Sequence, residues 1–356
     1  RQPDILDREG RKFFTHRGNF GPLRPDPRPA QRTAAFEAAV RVAGEAPGEL
    51  GAGAAEAIEH WQLPDRSARA ELTSLRYQAG NFTAGEEPSP AAREAAVARA
   101  ANEYPRTTSD WAEGERWEPD FCPQHIWEKL TAALEATQPE ASPGYPLMRY
   151  SATNAGLREE LGDRALLCLT WQRLVALDRA SESESAMAMV GHNRADPIRL
   201  FVKNELHKKE KVQQGRMRLI ASVSVIDQLV ERVLFGEQNK AEIERWETIP
   251  SKPGMGLHDE GLEALIRCME AFERPVQTDV SGFDWSVKEW SLDDDMEVRL
   301  RLAGAKKHGT YHAVCTQRYR ALSLALFVLS DGSVWEQLIP GIQKSGSYNT
   351  SSTNSR

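Results

Sequence analysis

Apolar residues recur at helical spacing most clearly behind Ser224, where Ile226, Leu229, Val230, Val233 and Leu234 share one face. Ser224 followed three positions later by Asp227 is a capping-box signature, so a helix is expected to start there. Ala-rich runs predict a helix near 91–103 and short helices between about 31 and 62, where Gly44, Gly48, Gly51 and Gly53 interrupt the pattern. Helical spacing also predicts helices near 156–178, 291–303 and 308–322. The helix at 291–303 opens with Asp293, Asp294 and Asp295, which suit the positive end of a helix dipole better than a metal site. Short apolar runs predict strands at 199–203, 216–221 and 276–278, and the runs 324–330 and 334–339 flank Asp331-Gly332, a hairpin signal. Residues 1–30 are rich in Arg and Pro, lack periodicity, and read as an extended arm or linker. Helices mixed with a few paired strands, without a βαβ or other internal repeat, give an α+β fold.

Composition narrows the class only a little. The chain has 356 residues, enough for two or three domains, and is 40% hydrophobic and 27% charged, as in an ordinary globular protein. A net charge of −7 argues against a surface coated in positive charge but leaves room for a local basic channel. The longest apolar stretch, near 321–329, is far short of the roughly 20 residues a membrane span needs. Cys122, Cys168, Cys268 and Cys315 are too far apart for a zinc knuckle and read as reduced structural thiols. The start, Arg1-Gln2-Pro3-Asp4, has neither an initiator Met nor the apolar core of a signal peptide, and with the abrupt end at Arg356 it suggests a piece of a longer polypeptide.

Against the acidic background, the stretch 199–220 carries Arg199, Lys203, Lys208, Lys209, Lys211, Arg216 and Arg218 against only Glu205 and Glu210. On a strand Arg216 and Arg218 alternate with Met217 and Leu219 and point to one side. Guanidinium forks match phosphate oxygens, so the stretch can neutralise a triphosphate or guide an RNA backbone; a solvated charged hairpin fits the same residues. Asp279 and Asp284 stand in Thr278-Asp279-Val280-Ser281-Gly282-Phe283-Asp284-Trp285. A carboxylate at a strand end beside the Ser281-Gly282 turn offers a hard oxygen to Mg2+ or Mn2+, and the Val280 carbonyl offers another. Asp284 can accept a hydrogen bond from a ribose hydroxyl. Taken alone, the two acids also fit a solvated surface. The segment 345–356 is nearly all Ser, Thr and Asn. It reads either as a disordered polar tail or as a ligand loop and helix. In the second case Gly346 lets the backbone approach a ligand, and Thr350 and Asn354 share a helix face that can read a ribose 2′-hydroxyl. His192, His207 and His258 have no partners at ligand spacing, Trp285 and Trp290 read as core, and no Walker or Rossmann glycine pattern is present.

The order of these pieces is more specific than any one of them. A Pro143-Gly144-Tyr145-Pro146 turn, a basic hairpin, Asp-x4-Asp and Ser-Gly-x3-Thr-x3-Asn follow one another. This order resembles the RNA-dependent RNA polymerases of plus-strand RNA viruses. The segments 279–286 and 345–356 are similar to the sobemovirus and polerovirus type. The resemblance covers about 140–356 and implies a right-hand fold with fingers and a partial palm: an N-terminal extension over 1–140, fingers over 141–270 and a truncated palm over 271–356. It implies that Ser142, Pro143, Gly144, Tyr145 and Pro146 guide the template. Lys203, Lys211, Arg216 and Arg218 would line the nucleotide tunnel, with Lys211 and Arg218 the leading candidates for the triphosphate. Asp279 would be the catalytic metal ligand and Asp284 the ribose-sensing acid. Ser345, Gly346, Thr350 and Asn354 would recognise the nascent pair and the 2′-hydroxyl. The implied cofactor is Mg2+ or Mn2+. The implied partners are RNA template, primer or nascent strand, NTPs and other viral replication proteins, in a replication complex of the host cytoplasm. The family's Gly-Asp-Asp hairpin does not occur in the sequence. A two-metal site needs carboxylates from both places, so this chain alone is expected to be inactive. Two rival readings are a non-catalytic RNA-binding module, which needs the basic hairpin but not Asp279, and a reverse transcriptase-like palm, which prefers dNTPs.

Overall fold

The computed structural model describes residues 2–23, 60–114, 116–117, 121–181, 184–256 and 258–356, with isolated positions between 38 and 53. The Ala-rich helices expected between 31 and 62 therefore lie almost wholly outside the described residues. The strands are β1 (Ile5–Leu6), β2 (Lys12–Asn19), β3 (Trp61–Gln62), β4 (Ile198–Val202), β5 (His207–Lys208), β6 (Leu219–Ser222), β7 (Leu326–Val328) and β8 (Ser333–Gln337). Six of them form a sheet in the order β1-β2-β8-β7-β4-β6, and β3 pairs with β5. Within the larger sheet β4 and β7 run parallel and the other neighbours antiparallel. The helices include α1 (Ala68–Asn81), α2 (Pro90–Glu103), α3 (Gln124–Glu135), α4 (Asp163–Asp178), α5 (Val225–Glu244), α6 (Glu289–Ala303), α7 (Thr310–Ser323) and α8 (Thr350–Ser355).

The Asp331-Gly332 hairpin forms as expected, joining β7 to β8. Gly332 has a φ of +82°, and a Cβ there would lie 2.0 Å from the Gly21 carbonyl oxygen, so only glycine fits. The reading of residues 1–30 as a linker is corrected by β2, which pairs with β8 (Phe14 opposite Gln337, His16 opposite Trp335). Phe13, Phe14 and Thr15 are all buried because this first part of the strand is covered on both faces, while the part beyond it is half-buried or exposed. A doubly covered strand shows no apolar–polar alternation, which is why the pattern concealed it. The larger sheet draws β1 and β2 from before residue 140, β4 and β6 from 141–270, and β7 and β8 from beyond 271.

Helix α5 begins where the cap predicts: Ser224 Oγ accepts the Asp227 N–H at 3.2 Å. The reciprocal bond of a capping box is replaced, because the Asp227 carboxylate instead meets the Arg173 guanidinium and the Asp196 N–H. The expected apolar face of α5 is buried against α3 and α4, with Leu130, Leu134, Leu174 and Leu177 in the same cluster. Each such side chain contributes about 1.5–3 kcal/mol of hydrophobic free energy. The helix expected over 156–178 is two helices, Asn154–Leu161 and α4, broken at Gly162 with φ +80°.

Two further expectations are corrected. Helix α6 starts at Glu289, so Asp293, Asp294 and Asp295 fall in its second turn rather than its first. Each has its own environment: Asp294 pairs with Arg93, Asp295 is buried against Arg299 and Arg356, and burial raises the Asp293 carboxyl to about 6. Residues 276–278 form no strand and are exposed. A strand requires a neighbour for its backbone N–H and C=O groups, and none of the described residues pairs with this segment.

Candidate active site

Backbone pairing brings the acidic segment and the Ser-Gly segment together. Gln343 N–H donates to the Asp284 carbonyl (2.8 Å) and Ile342 N–H to the Val287 carbonyl (2.9 Å), while Lys288 and Gly341 form an isolated antiparallel bridge. Asp279 sits not at a strand end but in an irregular segment, two residues before the Ser281-Gly282 turn that leads into a one-turn helix, Phe283–Ser286; Gly282 is left-handed at φ +65°. On the other side, Ser345 Oγ accepts the Ala221 N–H (3.0 Å) and Gly346 N–H donates to the Ala221 carbonyl (3.0 Å). These two bonds staple the bend to β6, an edge of the larger sheet, and satisfy groups an edge strand would leave open.

Asp279 and Ser345 consequently face one cleft of ≈ 720 Å³. Its walls also hold Lys211, Arg216 and Arg218 from the basic hairpin, Val280 and Asp284 from the acidic segment, and Asn354 from α8. β6 begins at Leu219, one residue beyond Arg218, yet both arginines reach the same cleft. Glu205 pairs with Arg218 and with Lys203, each at 2.7 Å, and Glu210 pairs with Arg216 at 2.9 Å. Among the described residues Lys211 and Asp279 have no ion pair or hydrogen-bonded side-chain partner. Burial pushes the Asp284 carboxyl above its ordinary value; the Asn354 amide bond (3.3 Å to Oδ1) and the Arg218 charge act against that rise.

Several expected site residues lie elsewhere. Gly346 approaches protein rather than ligand: a Cβ would stand 2.3 Å from the Ala221 carbonyl oxygen. The Thr350 hydroxyl, at the first position of α8, shares its proton between the carbonyls of Lys344 and Ser347, each at 2.9 Å, and Thr350 stands off the cleft wall. Lys203 is drawn to Glu205 and does not line the cleft. The Ser142–Pro146 turn also lies off the cleft wall: Val225 N–H donates to the Pro143 carbonyl, and Gly144 packs on Val223 and Ser224, so it braces the start of α5.

The polar segment 345–356 is ordered because its side chains meet buried acids. Ser347 Oγ and Tyr348 N–H donate to Glu231, which Arg318 also holds. Ser352 donates to Glu242, Thr353 to Asp295, and Asn354 to Asp284. A helix of Ser, Thr and Asn has weak intrinsic propensity, and these tertiary bonds supply the missing stability. Two cleft residues escaped the sequence reading, Tyr77 and Gln78 of α1. The signal they offer is an aromatic side chain left exposed on a helix. His207 proves structural, accepting the Arg218 N–H at Nε2 (3.0 Å) beneath the basic hairpin. Trp285 packs against the sheet core and also lines the cleft.

Magnesium typically takes one or two protein carboxylates plus substrate phosphates. Two acids on one cleft, Asp279 free of protein partners among the described residues, fit that use. Among the described residues no group of three or more His, Cys, Asp or Glu is placed to hold a metal ion by itself.

The fold is that of a right-hand RNA polymerase. The chain is similar to the structure of the Sicinivirus 3Dpol RNA dependent RNA polymerase, with a TM-score of 0.60 over 94% of this chain and 62% of that one, at 15% identity. A family model described as viral RNA-directed RNA-polymerase matches residues 52–356. Replicase polyprotein P2AB of Southern bean mosaic virus is 43% identical over 309 residues, covering 84% of this chain and 31% of that protein. Protein P1-P2 of Potato leafroll virus is 38% identical over 344 residues, covering 83% and 31%. The RNA-directed RNA polymerase of Mushroom bacilliform virus is 38% identical over 222 residues, covering 61% and 53%. The chain belongs to the viral RNA-directed RNA-polymerase family, and it spans about a third of the length of the Southern bean mosaic and Potato leafroll virus proteins. Among the described residues no helix is long and apolar enough to cross a membrane.

Proposed function

We propose that the chain forms the nucleotide-binding part of an RNA-directed RNA polymerase that copies a viral RNA genome. The observation that carries this is the meeting of Asp279, Asp284, Ser345 and Asn354 with Lys211, Arg216 and Arg218 on one cleft. Lys211, Arg216 and Arg218 hold the triphosphate of an incoming NTP and offset its charge. Asp284, steadied by Asn354, accepts a ribose hydroxyl, and the pair reads the 2′-hydroxyl that distinguishes RNA from DNA. Asp279 and the Val280 carbonyl would hold Mg2+ or Mn2+. When bound, such a cation supplies positive charge at the reacting phosphate and at the attacking hydroxyl. The 3′-hydroxyl of the growing strand attacks the α-phosphate and pyrophosphate leaves; the part of these residues is to keep the triphosphate in place.

On this reading 141–270 belongs to the fingers and 271–356 to the palm, while 1–140 is an extension whose β2 completes the sheet. The Ser142–Pro146 turn and Lys203 act at one remove, by bracing α5 and by sharing Glu205 with Arg218. RNA template, nascent strand and other viral replication proteins are the partners, in a replication complex of the host cytoplasm.

The test is a binding one, because the Gly-Asp-Asp motif is not among these residues. Calorimetric titration of the chain with ATP in Mg2+ or Mn2+ should show metal-dependent binding, which Asp279→Ala abolishes. RNA binding with no response to NTP or metal would favour an RNA-binding module. A preference for dATP over ATP would favour a reverse transcriptase-like palm.

A further inference from the structure

Helix α1 reaches the cleft from a part of the chain whose sequence carries no recognisable chemistry. Ser74, fully buried, donates to the Gly215 carbonyl (2.8 Å) and accepts the Met217 N–H (3.3 Å). Thr73 lies so close to Gly215 that a Cβ there would meet its Cγ2 at 2.4 Å, and Gly215 itself has φ +69°. Both neighbours of Arg216 are thus fastened to α1. Tyr77 and Gln78 follow Ser74 by three and four positions, so they share its face of the helix. Both line the cleft that holds Lys211, Arg216, Arg218, Asp279 and Asp284.

The cleft therefore joins three kinds of surface: cationic, carboxylate and aromatic with an amide beside it. A nucleoside triphosphate has three matching parts, namely phosphates, sugar hydroxyls and a base with a π-face and a hydrogen-bonding edge. The cations and the carboxylates account for the first two. We infer that Tyr77 stacks on the base of the nucleotide bound in this cleft, and that the Gln78 amide hydrogen-bonds to the edge of that base. This rests on the reading of the cleft as an NTP site. Every base has a π-face, and an amide offers both a donor and an acceptor, so the pair adds affinity without choosing among the four bases. Tyr77 is 36% exposed, and its ring is available without any rearrangement of the core. Phe283, 37% exposed, and Trp285, half-buried against the sheet core, flank Asp284 and so belong to the carboxylate side of the cleft.

Isothermal titration calorimetry with three probes separates the parts: ATP, UTP and inorganic tripolyphosphate, each with Mg2+. Tyr77→Ala should weaken ATP and UTP about tenfold, equivalent to ~1.4 kcal/mol, and leave tripolyphosphate unchanged. Tyr77→Phe should bind all three as the wild type does, showing that the ring and not the hydroxyl is responsible. Lys211→Ala should weaken all three. The inference is overturned if Tyr77→Ala leaves ATP and UTP unchanged, or weakens tripolyphosphate equally. It is also overturned if the base-dependent loss appears in Phe283→Leu instead, or if Tyr77→Ala weakens only oligouridylate binding. A wild-type chain that binds neither ATP nor tripolyphosphate would sink the underlying NTP-site reading, whereas wild-type binding of ATP with no response to Tyr77→Ala would sink the stacking role alone.

Discussion

Asn354 donates its side-chain amide to Asp284 Oδ1 at 3.3 Å across 70 positions of sequence. The bond ties α8 to the acidic segment inside the cleft and sets a neutral donor beside a carboxylate that burial makes reluctant to ionise.

Asn354→Ala removes that donor. The Asp284 carboxyl is expected to move further above its ordinary value, because burial then acts with only the Arg218 charge against it. Discrimination between ATP and dATP should fall several-fold, measured as the ratio of their dissociation constants. A variant that keeps the wild-type ratio would separate Asn354 from sugar recognition.

The two oxygens of Glu205 hold Lys203 and Arg218, so on the proposed function Glu205 competes with the triphosphate for positive charge. Glu205→Gln should free Arg218 and tighten ATP binding a few-fold, in line with the roughly 0.2–1 kcal/mol that an exposed ion pair is worth. The gain should shrink as salt is raised. Weaker binding in this variant would mean that Glu205 positions Arg218 productively instead of withholding it.

Gly346→Ala places a methyl group 2.3 Å from the Ala221 carbonyl oxygen, where backbone on both sides leaves no room to yield. The bend must then pull away from β6, and a loss of about 1–3 kcal/mol is expected from urea unfolding. Ser345→Ala, which removes only the acceptor for the Ala221 N–H, should cost about 1 kcal/mol. Equal stability of Gly346→Ala and wild type would contradict the staple.

Glu71 introduces a pH dependence. Burial raises its carboxyl from 4.5 to about 7, against the opposing hydrogen bonds from Ser330. Between those two values the folded chain holds a proton that the unfolded chain has released, so stability falls as pH rises through this window. At one unit per 1.36 kcal/mol the fall is on the order of 3 kcal/mol. Glu71→Gln has no proton to lose, so urea unfolding at pH 5 and pH 8 should show it gaining on wild type at the higher pH. A difference that does not change with pH would count against the buried, protonated state.

Local signals in the chain were strong where one segment satisfied itself. The α5 face, the Ser224 cap and the Asp331-Gly332 turn depend on neighbours within a few residues, and each appears where the pattern places it. Signals failed where a distant segment decided the outcome. β2 is covered on both faces over Phe13, Phe14 and Thr15 and there lacks alternation, and 276–278 has strand composition but no partner among the described residues to complete its backbone bonds. The Ser/Thr/Asn segment reads equally as tail or helix until Glu231, Glu242, Asp295 and Asp284 are brought to it.

The amino-acid order alone determined the chemical inventory: paired acids, a basic hairpin and a Ser-Gly bend, in the succession of a viral RNA polymerase. Tertiary structure alone decided which of these share a cavity, leaving Asp279, Arg218, Ser345 and Asn354 inside and Lys203, Thr350 and the Ser142–Pro146 turn outside. It also brought in Tyr77 and Gln78. The physical reason is that residue type records what a side chain can bond to, whereas its neighbours across the cleft are set by backbone bonds between segments far apart in sequence, such as those of Ser345 and Gly346 to Ala221.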